Sequence, residues 1–167
     1  GMSLQLLILG SGTSAGVPMI GCDCPVCTSS DPRDSRTRPS VLISYPDAAD
    51  LTLTRQYLID ASPELRQQAI REKINRLDGV LITHAHADHI FGIDDLRRFN
   101  AVMECPLDVY AEAKDIATLR QMFSYIFEKH RNLNKTFIAD LITHPAQVGK
   151  AIDLHGAIWT PLRLLHG

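Results

Sequence analysis

Apolar and polar positions alternate along the chain in a way that marks strands first and helices later. Leu4–Leu9 is a short, mostly apolar run closed by Gly10, and predicts a buried strand. From Gly10 to Pro39 no period of either kind survives, and Gly, Pro, Ser and Asp dominate. A loop of that length is uncommon in a compact domain unless it is functional or tethered. Ser40–Tyr45 and Gln56–Asp60 read as a strand pair, joined through Pro46-Asp47-Ala48-Ala49-Asp50 with its turn chemistry. Ser62-Pro63-Glu64 has the makings of a helix start, and Leu65, Ala69, Ile70 and Ile74 then form a stripe at helical spacing. Gly79–Thr83 predicts a second buried strand ending at His84, with a helix from about Asp88 to Phe99 after it. Leu107–Tyr110 reads as a strand and Glu112–Glu128 as a long helix; Phe137–Ile142, Ala151–Leu154 and Ala157–Leu165 read as strands. The order gives a mixed α and β class without repeats.

Composition narrows this only slightly. The 167 residues are one domain's worth, 45% hydrophobic and 22% charged, which excludes a disordered chain. Lys and Arg number 17 against 19 Asp and Glu, a formal charge of −2, so nothing marks a broad nucleic-acid surface. No apolar run reaches the length of a membrane span, and the first residues lack the basic and small-residue features of a secretory signal. The expected compartment is the cytoplasm; Gly1 before Met2 is set aside as an expression scar.

The cysteines change the picture more. Cys22, Cys24 and Cys27 crowd into six residues in the middle of the long loop. In a reducing compartment clustered thiols read as metal ligands, with a disulfide as the alternative. Cys105, before Pro106, is expected to be a small buried hydrophobe. Gly10-Ser11-Gly12-Thr13-Ser14-Ala15 fits the dinucleotide fingerprint, but Gly16-Val17-Pro18 follows where a helix would have to begin. The glycines are read instead as allowing a tight backbone path.

The densest chemistry is Thr83-His84-Ala85-His86-Ala87-Asp88-His89. At a strand end, alternation puts His84 and His86 on one side as a chelate for a divalent metal. Asp88 and His89 lie just beyond, where they can serve a second metal about 3.5–4 Å away. Arg97 and Arg98 follow on an acidic helix and are read as a solvated face.

His84-x-His86-x-Asp88-His89 resembles the signature of the metallo-β-lactamase superfamily. On that resemblance Asp60 is the aspartate that braces the metal loop, and His166 is the third histidine of the first metal. His84, His86 and His166 would hold one ion, with Asp88 and His89 contributing to the second. Gly10 to Pro18, the three cysteines and Gly92-Ile93-Asp94-Asp95-Leu96-Arg97 resemble the phosphoribosyl 1,2-cyclic phosphate phosphodiesterase branch. The implied fold is an α+β sandwich of two sheets flanked by helices (αββα). The implied chemistry is hydrolysis of a cyclic or small phosphodiester by a metal-activated hydroxide, with Asp88 and His89 in the catalytic set. Two zinc or manganese ions would act there, and a structural zinc would sit on Cys22, Cys24 and Cys27. Ribonuclease Z, a coenzyme PQQ-associated protein and a non-catalytic metal-binding fragment are the alternatives.

The family pattern continues past the third histidine with an aspartate and a further histidine, and the cysteine site there takes a C-terminal histidine. Residues 2–167 are therefore expected to be the N-terminal two-thirds of one such domain, incomplete in this chain. His130, His144 and His155 are the spare imidazoles and are read as surface residues, His144 and His155 in turns. A chain that ends at Gly167 would leave a sheet face uncovered and is expected to form a homodimer or to be poorly soluble.

Overall fold

A computed structural model describes residues 3–128 and 137–163. Strands β1 (Gln5–Gly10), β2 (Ser40–Pro46), β3 (Thr54–Ile59), β4 (Gly79–Leu81), β5 (Leu107–Glu112) and β6 (Leu141–Ala146) form one sheet in chain order. The first three pair antiparallel, and β3 to β6 run parallel. Strands β7 (Ile152–Leu154) and β8 (Ala157–Trp159) make a separate hairpin. The helices are α1 (Leu65–Arg71), α2 (Ala87–Ile90), α3 (Arg97–Met103), α4 (Ala113–Met122) and α5 (Ser124–Phe127). This is the expected α+β class.

Strand alternation sorts the apolar residues onto two faces. Leu42, Leu58, Val80 and Val109 point to the helices and join Leu65, Ile90, Ile93, Leu96 and Leu119 in the main core. Ile43, Tyr45 and Tyr57 point the other way and are covered by the β7–β8 hairpin through Leu154 and Trp159. Tyr45 and Tyr57 stack with ring centroids 5.9 Å apart, and the Trp159 Nε1–H donates to the Tyr45 hydroxyl at 3.2 Å.

Several elements differ from expectation. The strand before His84 ends at Leu81, and the helix expected from Asp88 to Phe99 is split. α2 stops at Ile90, Gly92 passes so close to Ser62 that a Cβ would run into its carbonyl oxygen, and a 3-10 turn over Ile93–Leu96 leads into α3. Ser62 caps the turn that leads into α1, its hydroxyl accepting from the Glu64 amide and donating to the Gln68 side chain, while the regular helix begins only at Leu65. Gln68 is fully buried, bonded to Thr37 and Arg38, while Ile70 of the expected apolar stripe is exposed. A buried amide with every partner satisfied can displace a hydrophobe from a core position. The long helix breaks at Phe123 into α4 and α5. Residues 137–140, expected to begin a strand, are irregular, and the last expected strand ends at Trp159. Cys105, expected to be buried, is exposed in the turn after α3, where Glu104 ends the helix in a left-handed conformation. His144 lies within β6 rather than a turn and contacts Asp108 at 2.7 Å. Among the described residues no helix is long and apolar enough to cross a membrane.

Candidate metal centre

Three parallel strands deliver the site at their carboxyl ends. Asp60 follows β3, the segment from Thr83 to His89 follows β4, and Asp115 stands in the first turn of the helix after β5. Open α/β sheets bind ligands at such ends, because the chain leaves the sheet there and side chains from neighbouring crossovers converge.

Asp60 has φ +64°, the left-handed region that Asp tolerates better than most residues. That turn aims its buried carboxylate along the next crossover. Asp60 Oδ1 accepts from the Thr83 amide at 2.8 Å, and Oδ2 accepts from the Thr83 hydroxyl at 2.7 Å. His89 Nδ1 lies 2.6 Å from the same Oδ2, and the His89 carbonyl accepts from the Ala61 amide at 2.8 Å. Both ends of the histidine loop are thus tied to Asp60 and its neighbour.

Proton counting then fixes the imidazoles. A hydroxyl has one hydrogen, and Thr83 gives it to Asp60. His84 Nδ1, 3.0 Å from the same hydroxyl oxygen, therefore donates to it, which leaves the His84 Nε2 lone pair free. His89 donates from Nδ1 to Asp60 and presents Nε2 in the same way. Metal-binding histidines are oriented by such partners.

The rings gather tightly. His84 stands 4.4 Å from His86 and 4.0 Å from His89, centroid to centroid. Desolvation holds the His84 pKa below its ordinary value, with His89 and His86 adding to it, so its neutral form is favoured. The hydrogen bond to Asp60 raises that of His89. His89 Nε2 lies 3.1 Å from Asp88 Oδ2. With the imidazole protonated, Nε2 donates to Asp88; with it neutral, the same nitrogen and oxygen face a cation together, and imidazoles with carboxylates suit zinc or manganese. His84, His86, Asp88 and His89 are donor types that suit a divalent metal, though among the described residues no three of their ligand atoms lie within 4.8 Å of one another. His166 lies outside the described residues.

The cysteines form a second group. Among the described residues only the Cys22, Cys24 and Cys27 sulfurs bring three donors within 4.8 Å of one another. All three are free thiols. The Cys27 amide donates to Cys24 Sγ and the Met19 amide to Cys27 Sγ, both at 3.4 Å. The Cys27 amide, helped by the neighbouring thiols, lowers the Cys24 pKa to about 7, favouring the thiolate that binds metal. Amides turned onto sulfur and three converging thiols fit a zinc ion. The surrounding loop is moored elsewhere by the Gly12 and Val17 amides, which donate to Thr37 and Arg36 carbonyls. At Gly10 and Gly12 a Cβ would strike the Arg38 and Arg36 carbonyl oxygens, which is the tight path expected of those glycines.

Two residues of the site escaped the sequence reading. Thr83 precedes the histidines, but nothing local reveals its link to Asp60. Asp115 accepts from the Ala85 amide across thirty positions. Arg98 is exposed, and Arg97 lies over the Phe137 ring at 5.7 Å, so neither joins the site in this structure.

A model of the β-lactamase superfamily domain matches residues 55–167. A crystal structure described as a new diphosphatase from the PhnP family is 41% identical, with a TM-score of 0.77 over 93% of this chain and 55% of that one. A protein named octanoyltransferase from Porphyromonas gingivalis is 41% identical over 98% of this chain but only 31% of its own length. Coenzyme PQQ synthesis protein B from Methylobacterium radiotolerans is 34% identical over 56% of this chain and 34% of its own. The fold recurs in zinc-bound PqqB from Methylobacterium extorquens, at 23% identity and a TM-score of 0.61 over 89% of this chain and 51% of that one. The chain thus spans from about a third to about half of these relatives. With the domain match running through β3, the histidine loop and everything after it, the chain belongs to the metallo-β-lactamase superfamily.

Proposed function

We propose that this chain carries the metal-binding loop of a metal-dependent hydrolase that cleaves a P–O bond in a small phosphodiester or diphosphate. The observation that supports it is the tie from Asp60 to His89, and through Thr83 to His84, which turns both Nε2 atoms away from Asp60 and sets that of His89 against Asp88. The diphosphatase relative favours phosphorus as the electrophile. Divalent metals there supply an activated water and neutralise charge growing on phosphoryl oxygens. His84 and His86 would hold one ion, with His166 as a third ligand; Asp88 and His89 would hold part of the second. Asp60 keeps the imidazoles in the tautomer that leaves Nε2 open. Cys22, Cys24 and Cys27 would hold a zinc with a structural role in the long loop. Placement in the cytoplasm and a small phosphodiester as partner belong to the same proposal.

The test is turnover of bis(p-nitrophenyl) phosphate, a ribose cyclic phosphate and a dinucleotide diphosphate by protein loaded with manganese or zinc. Phosphorus release that disappears in His86→Ala and Asp88→Asn supports the reading. Metal bound at the histidines without turnover of any of the three would end it, and leave a binding protein.

A further inference from the structure

Asp115 occupies the third position of α4, where an acid ordinarily reaches back to cap its own helix. Here no side chain caps α4. The Asp115 carboxylate is turned away from the helix start, and its Oδ1 accepts from the backbone amide of Ala85 at 3.2 Å. The residue is only 8% exposed, and its Oδ2 is buried without a hydrogen-bond partner. Burying a carboxylate with one oxygen unsatisfied is costly. An acid at this helix position has a cheaper use close at hand. Its diversion to Ala85 needs a reason in the loop it touches.

Ala85 is the residue between His84 and His86. Its own side chain packs against the main core, so the loop is gripped from both sides at that one point. Asp60 and Ala61 secure the loop at Thr83 and at His89. Between those ends, Asp115 is the side chain that holds a backbone group of the loop among the described residues. The angle between the His84 and His86 side chains depends on the peptide that joins them. A tether on the Ala85 amide fixes that peptide.

We propose that Asp115 is a positioning residue: by holding the Ala85 amide it sets the spacing of the His84–His86 pair for the metal. The inference rests on the reading of these histidines as ligands. Removing such a supporting group commonly weakens metal binding about 10–100-fold. Asp115→Asn keeps an acceptor oxygen for Ala85 and removes the charge; Asp115→Ala removes both.

Two readouts on the whole chain separate the possible failures. Amide hydrogen exchange of the metal-free protein should show Ala85 protected in the wild type and in Asp115→Asn, and opened in Asp115→Ala. Cobalt titration, read from the ligand-field bands of the nitrogen and oxygen site and not from thiolate charge transfer, should then show about 10–100-fold weaker binding in Asp115→Ala. The bands should shift in that variant alone, with Asp115→Asn close to wild type. Equal Ala85 protection in all three proteins overturns the tether. Opening of Ala85 with unchanged cobalt affinity and bands overturns the positioning role and leaves only a packing one. Loss in Asp115→Asn as large as in Asp115→Ala also overturns it, because charge rather than the amide contact would then be the cause. If His84→Ala leaves the wild-type bands unchanged, the ligand reading itself has failed, and the inference with it.

Discussion

At the scale of single residues, the candidate site turns on where protons sit. Thr83 relays the Asp60 carboxylate to His84, since its one hydrogen goes to Asp60 and its oxygen receives the His84 Nδ1 proton. Replacing Thr83 with Val keeps the shape and removes both contacts. His84 is then free to take either tautomer, so metal affinity should fall by about 10–100-fold. Stability of the metal-free protein should fall by about 2 kcal/mol, since one of the two lost bonds goes to a carboxylate. Competition with a chromogenic chelator, beside thermal unfolding, reads the two separately; equal affinity in Thr83→Val would refute the relay. The histidines themselves were plain in the sequence, because three imidazoles and an acid within six positions have few structural uses. Their supports were not. Asp60 became visible only through a family resemblance, and the Asp115 contact spans two crossovers that no local pattern encodes.

At the scale of elements, the antiparallel pair β2–β3 was legible from alternation and turn residues. Its stability is written in charges that alternation does not show. Asp47, buried at the turn, accepts from the Ala49 and Asp50 amides and from Arg55 Nε, and also meets His155 Nδ1 at 3.3 Å. Arg55 bridges onward to Asp78 at 2.9 Å. Arg55 first, and then the Ala49 amide, hold the Asp47 carboxyl below the usual carboxylate range. A depressed acid stabilises the fold above its unfolded value of about 3.9 and loses that contribution as pH falls through the lower folded value. Asp47→Asn should therefore be less stable than wild type near neutrality, and the gap should narrow steadily below about pH 4. Thermal unfolding across that range checks it; parallel curves for the two proteins would exclude Asp47 as a source of acid sensitivity. The β7–β8 hairpin, by contrast, was foreseen as strands but not as a cover for the far face of the sheet. The Tyr45 hydroxyl holds it, donating to the Leu154 carbonyl at 2.8 Å and accepting from Trp159. Tyr45→Phe should destabilise by about 1 kcal/mol, since it removes the hydroxyl's bonds to Leu154 and Trp159. Trp159 is the chain's single tryptophan, so its fluorescence reports hairpin docking directly. A variant emission spectrum and denaturation midpoint identical to wild type would mean the hairpin is held by apolar contact alone.

At the scale of the whole molecule, the mixed class and the chain order of motifs could be read from periodicity, since each strand and helix announces its own period. The sheet order and the exposed surfaces could not, because they depend on which faces find partners. Strand β1 shows this most clearly. Its apolar run was expected to be buried, yet Leu6 and Ile8 are each more than half exposed, with Leu4 before them and Leu7 between them also open. Consecutive residues of a strand point to opposite faces, so the Leu6 and Ile8 face of β1 is open and the Leu7 and Leu9 face is partly covered, while among the described residues no strand pairs with its outer edge. Only Leu9 reaches the core. No charged residue stands between Leu4 and Gly10 to discourage pairing, and an uncharged apolar edge invites another strand. The 167-residue chain should therefore self-associate in solution, with β1 as the contact, the homodimer expected from its sequence being the smallest such species. Replacing Leu6 and Ile8 with Lys puts charges on a strand that contributes little to the core. That double variant should sediment as a monomer at concentrations where the wild type does not, with thermal stability at low concentration nearly unchanged. Sedimentation velocity across a hundredfold range of concentration, on the order of micromolar upward, decides it. A wild type that stays monomeric over the whole range would mean that the exposed edge is tolerated as it stands. An association that persists in the lysine variant would place the contact elsewhere.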